Sequence, residues 1–209
     1  MTIKVVIVGA GGMGREIFNW LQVCEPKLTV IGFIDDNLHA LDGFNYEPCI
    51  ISKIKDYIPD KNIYHVVAIM NPMTKKNIVS HLKAAGSEFY RFIHPTAIVG
   101  KNVQLGEGVV ITPGCILTCD IRVGDFVFLN TQTTLGHDVK IGNFTSINGK
   151  VEISGYVEIG SEVLIGSRVV VLPKKRIASK AVVGVGSVVV ANINKPITEI
   201  GRASCRERV

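Results

Sequence analysis

The sequence predicts two folds in tandem: a half-Rossmann-like α/β domain over residues 1–92, then a parallel β-helix of six-residue repeats over residues 93–199. Three observations carry this reading. Near the start an apolar run meets a glycine-rich turn, and a second apolar run ends in paired aspartates. From Val99 to Val189 an aliphatic residue recurs at every sixth position, sixteen times in phase, a regularity that chance does not supply. No long insertion breaks that period.

In the front domain, Ile3 to Ala10 (IKVVIVGA) reads as a buried strand, GGMGREIFNWL as turn and helix, and Leu28 to Ile34 as the next strand. This is the β-turn-α-β opening of an open parallel sheet. Tyr64 to Met70 gives a third strand, Pro72 opens a helix running to about Ala85, and Glu88 to Ile93 is a short strand entering the second region. The glycines of the first turn allow a tight bend and aim free N–H groups of the following helix at an anion such as phosphate. The candidate acceptor-binding residues are Gly9, Gly11, Gly12 and Met13, with Asp35 and Asp36 as hydroxyl acceptors at the strand end. Three uses fit the run: a nucleotide or nucleotide-sugar site, an NAD site, or glycines serving only the turn. A domain of about 90 residues is roughly half of a complete dinucleotide fold, which favours the shorter nucleotide-sugar pocket.

In the second domain, the positions two residues before each anchor are mostly small or β-branched. Gly follows the anchor at residues 100, 106, 124, 136, 142, 160, 166 and 184. An amphipathic helix cannot keep a strict period of six, whereas short strands stacked as a triangular prism can. Three sides of six residues make an 18-residue coil, with coils about 4.8 Å apart. Cys115 falls on an inward small position and is expected to be a buried thiol. His137 is the one histidine inside the repeats, in the corner Gly136-His137-Asp138. There a polar side chain can face a groove, and a neutral imidazole suits proton acceptance near neutral pH.

Composition narrows the function classes. With 47% apolar and 20% charged residues, the 209-residue chain is neither disordered nor fibrous. The apolar run Val5 to Ala10 is too short to span a bilayer, and the N-terminus lacks a signal pattern, so a cytoplasmic protein with reduced cysteines and no membrane partner is expected. The net charge of +5 includes Ile200 to Val209, IGRASCRERV, which reads as the translation of a sequencing adapter. Without those ten residues, three basic and one acidic among them, the charge falls to +3. Residues 200–209 are therefore expected to be non-native. The remainder lacks the basic and aromatic patches of a nucleic-acid binder.

The pieces GAGGMGREI, GFIDD, FIHPTA, GHDVKIGNF, IGSRVVVLPKKRI and VVGVGSVVV, spread over residues 3 to about 198, resemble the hexapeptide-repeat sugar O- and N-acetyltransferases. The resemblance implies a left-handed β-helix, a homotrimer with active sites between neighbouring prisms, and acetyl-CoA as cosubstrate without a required metal. A sugar or nucleotide sugar is the implied acceptor. It makes His137 the general base and Asp138 the residue that orients it. It also places acetyl-CoA contacts around Gly155 and along Gly166 and Gly184. Ser146, a candidate acetyl-CoA contact, stands where relatives often carry a second histidine, nine residues beyond the first. Lys174, Lys175 and Arg176 form a dense basic group on the later coils, where the nucleotide end of CoA can run; Lys174 and Lys175 are the candidate phosphate contacts. Three other readings compete: a metal hydratase, short of histidines; an NAD enzyme, which leaves the prism idle; and a non-catalytic trimeric scaffold. O-acetylation of a free sugar such as sialic acid is the variant within the enzyme class.

Overall fold

The computed structural model describes residues 2–196 and 198–199. The expectation about residues 200–209 lies outside the described residues. The chain divides into two compact units, Met1–Arg91 and Phe92–Val209.

In the first unit, β1 (Ile3–Val8), β2 (Leu28–Ile34), β3 (Ile50–Ser52), β4 (Ile63–Val67) and β5 (Glu88–Phe89) form a parallel sheet in the order β3-β2-β1-β4-β5. Helices α1 (Gly12–Cys24) and α2 (Pro72–Ala84) follow β1 and β4. Val5, Val6, Ile7 and Val8 are wholly buried, which is what a continuous apolar run means in the centre of a parallel sheet. Strand order reverses between β1 and β4, so their C-terminal ends border the crevice where open α/β sheets bind ligands. Two details depart from expectation. The three-residue β3 is too short to show a period. The strand expected over Glu88 to Ile93 is two strands, β5 on the front sheet and Phe92–Ile93 opening the prism.

In the second unit the chain winds into three walls. Strands Ile98–Val99, Ile116–Leu117, Thr134–Leu135, Glu152–Ile153, Val170–Val171 and Val188–Val189 form the first. The second runs from Gln104–Leu105 to Arg176–Ile177 in five strands, and the third from Phe92–Ile93 to Thr198–Glu199 in seven. Every pairing is parallel, and within the repeats the register is 18 residues, as in Thr134 to Glu152 and Leu135 to Ile153. The anchors and the small positions between them fill one continuous core. Cys115 lies there, fully buried, and burial pushes its thiol pKa up, which keeps it protonated and inert. Buried hydroxyls on the same columns satisfy corner carbonyls: Thr133 Oγ1 donates to Asn148 O at 3.0 Å and Thr145 Oγ1 to Gly160 O at 2.8 Å.

The corners hold a feature that the aliphatic period does not announce. Every sixth residue from Asn102 to Gly186 has a left-handed backbone, and twelve of those fifteen are not glycine, so the conformation belongs to the coil and not to the residue. Each such conformation costs a side-chain-bearing residue about 1–2 kcal/mol. A backbone hydrogen bond to the coil before holds it in place, as when Asp138 N–H donates to Cys119 O at 3.2 Å and Tyr156 N–H to His137 O at 3.0 Å.

Candidate active site

The corner Gly136-His137-Asp138-Val139 joins the first wall to the second. Val139 points inward and is fully buried, and Gly136 N–H donates to Ile153 O at 2.7 Å. With Asp138 left-handed (φ 61°), its carboxylate turns back on its neighbour. His137 Nδ1–H donates to Asp138 Oδ2 at 2.9 Å, which leaves the Nε2 lone pair free. The two side chains are 53% and 41% exposed, so solvent screens the pair and orientation is the larger effect.

Gly155, one coil on, explains how the ring lies. A Cβ there would sit 2.6 Å from His137 Nε2 and 2.7 Å from Cε1, so the imidazole rests across bare backbone. Tyr156 meets the ring edge-on, with centroids 4.9 Å apart and planes at 87°. The imidazole is thus fixed by a carboxylate, a glycine and an aromatic ring from two successive coils.

Beside this corner a polar groove of about 720 Å³ runs along the second wall, two coils to either side of Asp138. One side is the corner column Asn102, Asp120, Asp138, Tyr156 and Lys174; the other is the strand column Gln104, Arg122, Lys140, Glu158 and Arg176. Glu158 bridges two cations, accepting from Lys140 Nζ at 3.0 Å and Arg176 Nε at 3.1 Å. Lys140 first and then Arg176 hold its carboxyl below the usual range. Asp120 accepts from Asn102 Nδ2 at 2.8 Å, and this bond is the largest cause holding its pKa down.

The other residues singled out in the sequence divide. Lys174 lines the groove together with Arg176, but Lys175 does not. It is half-buried in the inward column that Val157 and Val139 occupy on earlier coils, and its carbonyl accepts from Glu158 N–H, so the basic pair on this face is Lys174 and Arg176. Gly166 and Gly184 occupy the corner between the third and first walls, away from His137 within one chain. Ser146 lies on the third wall between Phe128 and Leu164 and is fully buried, so it offers no surface to a ligand in the protomer. Sequence reasoning missed Tyr156 and Asp120; the 18-residue register that stacks both beside His137 was the signal that could have found them.

In the first unit, Gly9 (φ +99°) needs the freedom of glycine, and a Cβ at Gly14 would fall on the Gly9 carbonyl. A Cβ at Gly11 would meet nothing within 4 Å, and one at Gly12 only Arg15 Nη2 at 3.9 Å, so internal packing does not require glycine there. Gly11 is the N-cap of α1 and supplies no side-chain cap, leaving the first-turn N–H groups, Met13 among them, to other acceptors. Asp35 and Asp36 already have internal duties. Asp35 Oδ2 accepts from Ala10 N–H at 2.8 Å and Oδ1 from Asn37 N–H at 2.9 Å, while Asp36 Oδ1 accepts from Ile54 N–H at 3.1 Å. They brace the turn as well as bordering it. Sequence reasoning also passed over Arg15, whose guanidinium carbon stands 3.6 Å from the centroid of Phe44.

Among the described residues, no three His, Cys, Asp or Glu side chains gather as a metal site, and no helix is long and apolar enough to cross a membrane. His94 turns its Nδ1 to Thr96, and burial lowers its pKa.

A period-six β-helix with an oriented imidazole over a polar groove, preceded by an open α/β sheet with a glycine turn at its switch point, defines the class as a hexapeptide-repeat protein with a candidate general base. Comparison with known proteins takes this further. Residues 4–82 match the PglD N-terminal domain, and residues 77–188, just over half of the chain, match the GMPPB C-terminal domain. The acetyltransferase domain of PglB from Neisseria gonorrhoeae in complex with acetyl coenzyme A superposes with a TM-score of 0.85 at 25% identity, over 95% of this chain and 96% of that one. PerB from Caulobacter crescentus in complex with CoA and GDP-perosamine gives 0.82 at 25% identity, over 91% and 90%. A UDP-N-acetylbacillosamine N-acetyltransferase from Bacillus subtilis is 29% identical over 113 residues, 52% of this chain and 50% of the relative, so that match spans half of the relative's length. The chain belongs to the hexapeptide-repeat family of sugar and nucleotide-sugar N-acetyltransferases, whose prism is a left-handed β-helix.

Proposed function

We propose that the protein transfers the acetyl group of acetyl-CoA to an amino group on a nucleotide-linked sugar, with His137 as general base. The observation that carries this reading is the His137–Asp138 pair laid across Gly155, with Asp138 on the middle coil of the groove. Its Nδ1 is committed to Asp138, so Nε2 accepts the proton as the amine nitrogen attacks the thioester carbon. The tetrahedral oxyanion needs a donor, and a backbone N–H of the prism near Gly155 is the economical one. When the oxyanion collapses, the C–S bond breaks and the proton held on Nε2 passes to the departing thiolate, so no covalent enzyme intermediate is needed. Lys174 and Arg176 are suited to CoA phosphates, and the uncapped first turn of α1 to the phosphates of the acceptor. Three copies of the chain supply the contacts that one lacks, placing Gly166 and Gly184 of one prism beside His137 of another. The amine is supported by the Bacillus subtilis relative, which is named as an N-acetyltransferase. A cytosolic location follows from the supply of acetyl-CoA.

The test is thiol release from acetyl-CoA with UDP- and GDP-linked amino sugars, the matching hydroxy sugars and free sugars as acceptors, alongside light scattering. A trimer of roughly three times 22.7 kDa and turnover with a nucleotide-linked amine are expected. His137→Ala should keep the trimer and lower the rate about 100- to 10,000-fold, the usual worth of a positioned base. Turnover above about a third of wild type, with chemistry rate-limiting, would remove His137 as the base and make His94 the next candidate. A preference for free sugars with no effect of any nucleotide would remove the front-domain pocket.

A further inference from the structure

Asp120 stands one coil before Asp138 in the same corner column, with the same left-handed backbone (φ 56° and 61°), and both line the groove beside His137. Asn102, one coil further back, fixes it through the 2.8 Å hydrogen bond from Nδ2 to Oδ1, and the Cys119 thiol is a second donor. Both donors are neutral. Glu158, lower in the groove, is by contrast paired with Lys140 and Arg176. Among the described residues no Lys or Arg forms an ion pair with Asp120, so its negative charge is oriented but not cancelled.

We propose that Asp120 is a positioning residue for the transfer reaction, a second carboxylate that, together with Asp138, stabilises the imidazolium formed when His137 accepts the proton. The inference rests on His137 being the base. The other groups near the ring are Cys119 on the coil before, Tyr156 on the coil after, and Arg122 and Lys140 on the adjoining strands, with Glu158, Lys174 and Arg176 further down the groove; the cations among them oppose a protonated ring, which is what the two carboxylates offset. Asp120 and Asp138 both push the Cys119 thiol pKa up, so Cys119 stays a neutral donor and adds no charge of its own. Asp120 is kept ionised first by the hydrogen bond from Asn102, then by Cys119, with a smaller attraction from His137.

The direction of the effect follows. An ionised carboxylate favours the protonated ring, raises the basicity of Nε2, and should act less at high salt. The experiment is an NMR pH titration of the His137 ring in the full chain, its resonance assigned by loss in His137→Gln, for wild type, Asp120→Asn, Asp138→Asn and the double variant. Asn is well tolerated at a left-handed corner, so the fold should persist. Asp120→Asn should move the His137 titration measurably to lower pH, and 1 M salt should abolish most of that difference. The double variant should show the two shifts added. The acid limb of the rate profile, with whichever acceptor supports turnover, should move by the same amount.

An unmoved His137 titration in Asp120→Asn overturns the inference, as does a shift that persists in 1 M salt. If His137→Ala stays active, the base assignment fails instead. If His137→Ala is inactive while Asp120→Asn leaves the titration untouched, the base assignment survives and this inference alone falls.

Discussion

The two units place functional groups in opposite ways. In the α/β unit, the candidate binding groups gather at one place, the C-terminal ends of β1 and β4, and the turn there is held by Gly9, Gly14 and the Asp35–Ala10 hydrogen bond. In the prism, each corner repeats one backbone conformation and one hydrogen bond to the coil before, whatever side chain it carries. The first design makes the site depend on particular residues that also hold the fold. The second separates them: inward columns make the fold, and corner columns are free for chemistry.

The sharpest way to break this comparison is to exchange the roles. Ile147→Ala, at a wholly buried anchor, should cost about 2–5 kcal/mol of stability, read by thermal or denaturant unfolding, because the rigid walls cannot collapse into the space. His137→Ala should leave the melting temperature within a degree or two, as surface changes usually do. Equal losses in both variants would show that corners and core are not separable.

Next in size is Gly155→Ala, which should lower turnover about 10- to 100-fold through a displaced ring, with stability little changed. Its partner in the front unit is Gly14→Ala, where a methyl group meets the Gly9 carbonyl and unfolding stability should fall instead. Asp138→Asn should cost about tenfold in rate, or about 1.4 kcal/mol in the barrier, since the ring keeps its nitrogen and loses part of its orientation.

A separate expected effect is a pH dependence confined to the front unit. Lys75 on α2 is fully buried, and desolvation lowers its pKa from 10.5 to about 7. Between those values the unfolded chain holds a proton that the folded one does not, so stability should rise with pH across this window and the dependence should flatten below about 7. Denaturant midpoints measured from pH 7 to 10, with Lys75→Met as the control that removes the slope, check the sign.

Much of the prism was legible because its constraint is periodic. Sixteen anchors spaced by six residues fix all three walls, and the corner position of His137 follows from Leu135. The left-handed corners were not legible, because Asp, Phe, Gln, Lys, Tyr, Glu and Arg all occupy them where glycine is the usual marker. Lys175 shows the reverse case. Its place in the period already put it in the inward column, but a run of three basic residues drew attention to charge over register, and Arg176 was the groove residue. The role of Gly155 was hidden for a different reason: what it accommodates lies 18 residues away, and a glycine at a corner looks in sequence like any other turn residue.

The repeated left-handed corner has a consequence for how such a chain can change over generations. At most positions in a folded protein, a new side chain is screened first by its effect on stability and only then by its usefulness. Here the backbone hydrogen bond that holds a corner uses no side-chain atom, and that geometry already accepts acids, bases, amides and aromatics alike. Point substitutions along the corner columns therefore meet little resistance from folding, and new polar constellations can be sampled one coil at a time while the scaffold beneath them stays the same.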